Sequence, residues 1–219
     1  MAIDLSKIKG IIFDMDGVLV DSEPVMAKAS VLGMADYGVQ AKPEDFVPFF
    51  GTNDETYFGS VVRMHGGTYT PEIAERIYDI YCKIAPTEIF TFPNVPETLQ
   101  NLHMKGYKTA IASSSIRRKL DVNITSAKIN LESLDAVVCG SDVVNKKPDP
   151  EIFLKAAAKL GLAPEECLVA EDAISGVKAA KAAKMCCFGI TTAFEADYLK
   201  EIGADFAGAN IIEILELLS

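Results

Sequence analysis

Short, unbroken apolar runs recur along the chain, and stretches with helical spacing separate them. Strands that are buried on both faces carry such continuous hydrophobicity, whereas a strand with one solvated face alternates apolar and polar residues. Alternation of these strands with helices predicts an α/β fold built on a doubly wound parallel sheet. The five predicted strands are Gly10–Phe13, Lys108–Ala112, Ala136–Cys139, Cys167–Ala170 and Cys186–Ile190.

Three of the intervening stretches have the markers of helices. Pro96–Lys105 and Pro150–Leu160 each begin with proline and are followed by glycine, and Gly176–Lys184 is rich in Ala and Lys. Proline near the start and glycine just past the end are typical of helix boundaries. We therefore predict a helix in each of these stretches.

Residues 22–91 break the alternation, because they contain no run that is typical of a buried strand. Apolar residues recur there at helical spacing, as in Glu72–Ile84, which is typical of an amphipathic helix. The pattern predicts a second, smaller helical domain inserted after the first strand. The core domain would then consist of residues 1–21 and 92–219.

The excess of acidic over basic residues indicates which kinds of molecule the chain is able to bind. The formal net charge is −10 at pH 7, so the basic surface that nucleic acids or anionic membranes require is missing. An anionic small molecule would need a local positive site, supplied by a metal ion, a lysine or helix N-termini. We therefore expect a small-molecule partner, no nucleic acid and no membrane.

The number and spacing of the cysteines, together with the N-terminal segment, indicate the cellular compartment. The chain has five cysteines, an odd number without C-x-x-C spacing, and most lie in or beside apolar runs. Buried reduced thiols are the simplest interpretation. MAIDLSKIKG lacks the pattern of a signal peptide, and no apolar run approaches membrane-spanning length. We expect a cytoplasmic protein that is a monomer or a weak homodimer.

Polar side chains follow four of the five predicted strands at the point where each strand ends or soon after it. In an open α/β sheet, ligands bind outside the carboxyl ends of the strands. Convergence of acidic, hydroxyl and ammonium groups at this edge therefore predicts one site. The side chains are Asp14, Asp16, Ser113, Ser114, Lys147, Glu171 and Asp172.

Asp14 and Asp16 are two residues apart in a segment that continues the first strand. In extended backbone such residues point to the same side. Neighbouring carboxylates resist ionising together, so one can act as an anionic nucleophile while the other carries a proton as a general acid. A surface D-x-D-G turn or a calcium loop is the alternative, although calcium needs more oxygen ligands nearby.

The remaining groups suit a metal ion and a phosphate, and each has a simpler alternative. Glu171 and Asp172 with Asp14 form an all-oxygen cluster, which favours Mg²⁺ over zinc; Asp172 could instead cap a helix. Lys147 could neutralise Asp14 and a phosphate, or be solvated. Ser113 could donate to a phosphate oxygen, or cap a helix.

Histidine-dependent chemistry is disfavoured. The only two histidines, His65 and His103, lie in the insertion and in a helical pattern. A serine-hydrolase triad and a histidine-ligated zinc site each require a histidine beside the reacting groups. Neither class of site fits the strand ends.

Four segments, taken in order, resemble the motifs of the haloacid dehalogenase superfamily, in the branch with a helical cap after the first strand of a Rossmann-like core. They are IIFDMDGVLVDSE (Ile11–Glu23), AIASSS (Ala110–Ser115), KKPDPEIF (Lys146–Phe153) and LVAEDAISG (Leu168–Gly176). The resemblance spans nearly the whole chain.

The resemblance implies specific roles for these residues. Asp14 attacks phosphorus to form an aspartyl-phosphate, and Asp16 protonates the leaving alcohol and then deprotonates the attacking water. Ser113 and Lys147, with Ser114 beside them, hold the phosphoryl group. True dehalogenases lack the second aspartate, so its presence favours a phosphatase.

The resemblance also implies a Mg²⁺ site. Its ligands would be Asp14, the main-chain carbonyl of Asp16 and Asp172, with Glu171 as a further ligand or a residue that supports the ligands. Many relatives have Ser after the Glu-Asp pair, whereas this chain has Ala173. That departure bears on the details of the metal geometry.

Two other functions remain as hypotheses. The chain also resembles β-phosphoglucomutase, but the positions of that enzyme's cap histidine, arginine and lysine read Met26, the segment Thr52–Thr56 with Asp54 and Glu55, and Ile77. These departures favour hydrolysis of a small phosphomonoester. A signalling module in which Asp14 only accepts a phosphoryl group is the less favoured alternative.

Overall fold

The computed structural model describes residues 4–49 and 52–218. The chain forms two compact units, a core unit of Met1–Asp21 with Phe90–Ser219 and an insertion unit of Ser22–Ile89. The predicted insertion ends at residue 91, whereas the insertion unit ends two residues earlier, at Ile89. Phe90 and Thr91 belong to the core unit, because they pair antiparallel with Val20 and Asp21.

The insertion unit is helical. Ile73, Ile77 and Tyr81 share one face of the predicted helix Glu72–Ile84, and all three are buried. Gly33 permits close approach of two helices, because a Cβ there would lie 3.1 Å from Cα of Ile77. The helices are α1 Glu23–Ala35, α2 Asp54–Met64 and α3 Pro71–Glu88, with a 3₁₀ segment Pro43–Phe49 before α2.

The core unit contains a six-stranded sheet in which every neighbouring pair is parallel. The strand order β5-β4-β1-β6-β7-β8 places β1 in the middle. The predicted parallel α/β sheet is confirmed, and Phe206–Gly208 adds a strand that was not predicted. The strands of the core unit are β1 Gly10–Phe13, β2 Val20–Asp21, β3 Phe90–Thr91, β4 Lys108–Ala112, β5 Ala136–Val138, β6 Cys167–Glu171, β7 Cys186–Ile190 and β8 Phe206–Gly208, with β2 and β3 forming a separate pair.

Helices flank this sheet and bury its central strands. Ile11 and Ile12 point to opposite faces of β1, and neither side chain is accessible to solvent. Gly161 adopts the left-handed conformation just after one helix, as its predicted end requires. The helices of the core unit are α4 Val95–Met104, α5 Arg117–Ser126, α6 Glu151–Leu160, α7 Ile174–Ala182, α8 Ala196–Glu201 and α9 Ile212–Leu217.

No helix in the described part of the chain combines the length and the apolar character that a membrane crossing requires. The cysteines are present as thiols, and four of them are buried: Cys139, Cys167, Cys186 and Cys187. Cys82 is partly exposed. Burial raises the pKa of the Cys167 and Cys186 thiols to about 12, so the reactive thiolate is scarce at neutral pH.

We expect a thiol reagent such as Ellman's reagent to modify Cys82 first in the native protein, because the thiolate is the nucleophile and must be reached by the reagent. The other four thiols should react only on unfolding. Absorbance at pH 8, with and without urea, measures both phases. A Cys82→Ser variant that keeps the fast native phase would contradict the assignment.

Candidate active site

The predicted site residues continue two strands at the carboxyl edge of the sheet. The backbone N–H of Asp14 donates to the carbonyl of Ala170 at 3.0 Å, and that of Ser113 donates to Val138 at 3.1 Å. Each side chain is therefore placed one residue beyond its strand, at the same edge. Parallel strands bring these residues together although they are far apart in sequence.

Lys147 lies between two carboxylates. Its Nζ is 2.5 Å from Oδ1 of Asp14 and 2.5 Å from Oε1 of Glu171. Only 5% of its side chain is exposed, and Nζ lies 4.8 Å from the centre of the Phe153 ring. Lys147 is therefore not a solvated lysine, and the structure brings it to Asp14 as the sequence predicted.

The charges of this cluster do not balance. Burial raises the pKa of Asp14 to about 7; Lys147 opposes the rise, while Glu171 and Asp16 add to it. Burial, followed by the charges of Glu171 and Asp14, raises the pKa of Asp172 well above its ordinary value. Burial disfavours the charge on Lys147, but Asp14 and Glu171 together hold its pKa above the ordinary value. The ammonium of Lys147 is therefore the counter-charge for three carboxylates, and a further cation would reduce the repulsion among them. The three carboxylates are those of Asp14, Glu171 and Asp172.

Glu171 uses both carboxylate oxygens within the protein. Oε1 accepts from Lys147, and Oε2 accepts the backbone N–H of Ala173 at 2.8 Å. A Cβ at Gly176 would overlap this carboxylate, so Glu171 lies against the start of α7. These contacts orient Lys147, while a role of Glu171 as a metal ligand stays a prediction.

Asp172 lies against the turn that follows Asp16. Gly17 has φ of +81°, and a Cβ there would overlap Oδ2 of Asp172. Thr192 links the same two segments, since its hydroxyl donates to the carbonyl of Gly17 at 2.6 Å and lies 3.4 Å from Oδ2 of Asp172. The residue at the N-cap of α7 is Ala173, so Asp172 is not the helix cap that was the alternative.

The donor set fits a hard cation in its chemistry. Asp14 and Asp172 both supply carboxylate oxygens, which Mg²⁺ prefers. Among residues 4–49 and 52–218, however, no three His, Cys, Asp or Glu side chains form a ready-made metal site. A cation would therefore need a main-chain oxygen, such as that of Asp16, beside these two carboxylates.

Asp16 has its own set of donors. Its Oδ1 accepts from Nζ of Lys119 at 2.8 Å and from Nδ2 of Asn123 at 3.1 Å. Its Oδ2 accepts from the hydroxyls of Ser115 at 2.8 Å and Ser113 at 3.4 Å. The two aspartates of the D-x-D segment therefore have separate ammonium partners.

The sequence reasoning missed Ser115, Lys119, Asn123 and Thr192. Lys119 and Asn123 are four residues apart on α5 and share its buried face with Leu120 and Ile124. Two polar residues within an otherwise apolar helix face are a signal that could have indicated a buried partner. Thr192 follows β7, where no polar strand-end group was sought.

The three serines after β4 differ in their surroundings. Ser113 is buried, and its hydroxyl accepts the backbone N–H of Ser115 at 3.1 Å. Ser114 is exposed. Ser113 therefore stabilises the turn as well as facing Asp16, while a substrate-binding role for Ser113 and Ser114 stays a prediction.

The family model for haloacid dehalogenase-like hydrolases matches residues 11–190, which confirms the resemblance found in the four motifs. The Arabidopsis thaliana protein SUPPRESSOR OF QUENCHING 1, chloroplastic, is 40% identical over 97% of this chain. The chain spans only 21% of the length of that plant protein.

Two further relatives match over most of their own length. Hexitol phosphatase B from Escherichia coli K12 is 30% identical, over 80% of this chain and 79% of the relative. A crystal structure described as a putative β-phosphoglucomutase from Thermotoga maritima has a TM-score of 0.81 at 27% identity, covering 97% of this chain and 100% of the other.

We expect Gly17→Ala to destabilise the fold more than Gly106→Ala. Both glycines have positive φ, but an added Cβ at Gly106 meets no described atom within 4 Å, whereas at Gly17 it overlaps Asp172. The left-handed backbone costs both variants about 1 kcal/mol, and overpacking should cost Gly17→Ala a further ~1–3 kcal/mol. Urea unfolding measures the difference; equal losses would contradict the close approach of Asp172.

Proposed function

Since this chain belongs to the haloacid dehalogenase-like hydrolases, we propose that it is a Mg²⁺-dependent phosphatase that hydrolyses a small phosphomonoester through an aspartyl-phosphate. The observation that carries the proposal is the buried Lys147, which pairs with Asp14 at the carboxyl edge of the sheet. An ammonium in that position can offset the charge of both the nucleophile and a transferring phosphoryl group.

Asp14 and Asp16 divide the chemistry between them. A carboxylate oxygen of Asp14 attacks phosphorus while the bond to the ester oxygen breaks, and that oxygen takes a proton from Asp16. Water then attacks the aspartyl-phosphate and gives its proton to Asp16, which releases inorganic phosphate and restores the Asp14 carboxylate. Each aspartate has its own lysine partner, so different side chains hold the two carboxylates in place.

The proposed Mg²⁺ would be held by Asp14, Asp172 and the main-chain carbonyl of Asp16, and it would supply positive charge beside the phosphoryl group. Glu171 would hold Lys147 in place through Oε1, and because each carboxylate oxygen has two lone pairs it stays a candidate for a further ligand of the ion. Lys147 and the hydroxyl of Ser113 would orient the phosphoryl oxygens.

The substrate class is proposed from the relatives. Hexitol phosphatase B matches four fifths of this chain, and its name supports a phosphorylated sugar or sugar alcohol as the kind of substrate to test first. The cytoplasmic location and the monomeric or weakly dimeric state stay predictions.

We expect Asp14→Asn to abolish phosphate release from sugar phosphates and from p-nitrophenyl phosphate, because an amide is a poor nucleophile. The fold should persist, since Lys147 keeps its contact with Glu171. A phosphate-release screen of sugar phosphates, nucleotides and pyrophosphate checks this, with EDTA abolishing and Mg²⁺ restoring wild-type turnover.

The matched control is Asp205→Asn, because Asp205 also pairs with a lysine, Lys181, in the core unit. That variant should keep full turnover. Undiminished turnover by Asp14→Asn would contradict the mechanism. A wild-type protein that stays phosphorylated without turnover would instead support the phospho-accepting signalling module.

A mutase is the second candidate, because the Thermotoga maritima structure described as a putative β-phosphoglucomutase shares the fold at 27% identity. Within the insertion unit, Met26 and Ile77 are buried. Asp54 accepts from the hydroxyl of Tyr78 at 2.8 Å, and Glu55 pairs with Arg63 at 2.8 Å. None of these four positions presents a basic group, which supports hydrolysis over a mutase.

We expect free phosphate to form faster than glucose 6-phosphate when the protein is given β-glucose 1-phosphate and a trace of the corresponding bisphosphate. None of the four insertion-unit positions named above has a basic side chain. The second phosphate of a bisphosphate intermediate would therefore have no positive group there to bind it. Coupled assays for both products measure the ratio. Faster formation of glucose 6-phosphate would favour the mutase.

A further inference from the structure

We infer that Lys119 and Asn123 of α5 are positioning residues, which hold the carboxylate of Asp16 in the orientation that serves proton transfer to the leaving group. The inference rests on the proposed phosphatase function and adds to it two residues whose effect on the reaction is exerted through Asp16. We call Lys119 and Asn123 the Asp16 holder.

The contacts of the Asp16 holder are short and shielded. Both groups donate to Oδ1 of Asp16, Lys119 at 2.8 Å and Asn123 at 3.1 Å. The side chain of Lys119 is 10% exposed, that of Asp16 is 20% exposed, and Asn123 is fully buried. Shielding from water makes such charge-assisted hydrogen bonds stronger than they would be at the surface.

The chemistry of these donors distinguishes the two oxygens of Asp16. An ammonium and an amide nitrogen can only donate, so Oδ1 must remain an acceptor. The hydroxyl of Ser115, which faces Oδ2 at 2.8 Å, can both donate and accept. Ser115 can therefore adapt its hydrogen bond when Oδ2 gains or loses a proton, whereas Lys119 and Asn123 can only continue to donate to Oδ1.

The position of the Asp16 holder in the fold supports a function beyond stability. Lys119 and Asn123 interrupt the buried face that Leu120 and Ile124 form on α5. Taking a lysine and an amide out of water costs free energy, and replacement of a buried ion pair by apolar side chains is often neutral or stabilising. Helix packing alone would therefore favour apolar residues there.

The test compares phosphate esters whose leaving groups differ in basicity. p-Nitrophenolate leaves without a proton, whereas an alkoxide needs one from the general acid. Removing a general acid costs about 10²–10⁴-fold, so Lys119→Met should lower kcat/KM for an alkyl phosphate on the order of 10²-fold and for p-nitrophenyl phosphate by less than about fivefold. The value of kcat/KM does not include the later hydrolysis of the aspartyl-phosphate. It therefore reports on the first step, in which the leaving group is protonated.

Asn123→Ala gives a second, milder variant in case Lys119→Met does not fold. Asp16→Asn is the reference for complete loss of the acid. If the holder acts through Asp16, the double variant Asp16→Asn/Lys119→Met should show no steeper leaving-group dependence than Asp16→Asn alone. Lys181→Met is the matched control, because it breaks a lysine–aspartate pair elsewhere in the core unit, and it should leave the dependence unchanged.

Two results would overturn the inference. One is an equal loss of kcat/KM for every ester in Lys119→Met or Asn123→Ala, which would indicate phosphate binding or general destabilisation. The other is a crystal structure of either variant with Asp16 in its wild-type orientation. The crystal structure of a variant can be determined without any turnover. If the wild-type protein hydrolyses no ester, the proposed function is wrong, and the position of Asp16 in the variant structures still tests the role of Lys119 and Asn123.

Discussion

The ion pair of Lys147 with Asp14 and Glu171 is the interaction on which the site depends. Its three charged groups lie at the carboxyl edge of the parallel sheet, with 5%, 9% and 1% of their side chains exposed. Charges so far from water are tolerated only when they are paired and hydrogen-bonded. Replacing Lys147 by an uncharged residue would leave two buried carboxylates without their ammonium, whereas loss of either carboxylate leaves Lys147 paired with the other. The integrity of this edge of the sheet therefore depends most on Lys147.

The two aspartates of the D-x-D segment are neighbours, but each has its own ammonium partner. Asp14 faces Lys147, which lies in the turn before α6, while Asp16 faces Lys119 of α5. Like-charged carboxylates two residues apart repel each other, and the charge of Asp16 adds to the raised pKa of Asp14. The separate ammonium partners offset part of this repulsion and hold the two side chains from different elements of the fold.

The central fold and the strand-end residues of the candidate site could be predicted from the sequence, for a physical reason. A strand buried on both faces must be apolar throughout, so the polar residue after it marks the sheet edge; Asp14 and Asp172 were found in this way. The strand Phe206–Gly208 was missed because it is a short edge strand that is only half-buried, so burial imposes no apolar run. Lys119 was missed because the packing of α5, rather than a strand end, brings it to the site. Thr192 follows β7, the one predicted strand to which no polar group was assigned.

The pairing of β2 with β3 holds the two ends of the inserted segment side by side. The chain leaves the core unit through Val20–Asp21 and returns through Phe90–Thr91, and these two segments are hydrogen-bonded neighbours. Because the entropic cost of closing a loop rises only slowly with its length, a long segment can be inserted between two paired strands without a large penalty. The segment between the ends can therefore be lengthened or exchanged while the order and register of the six-stranded sheet stay the same.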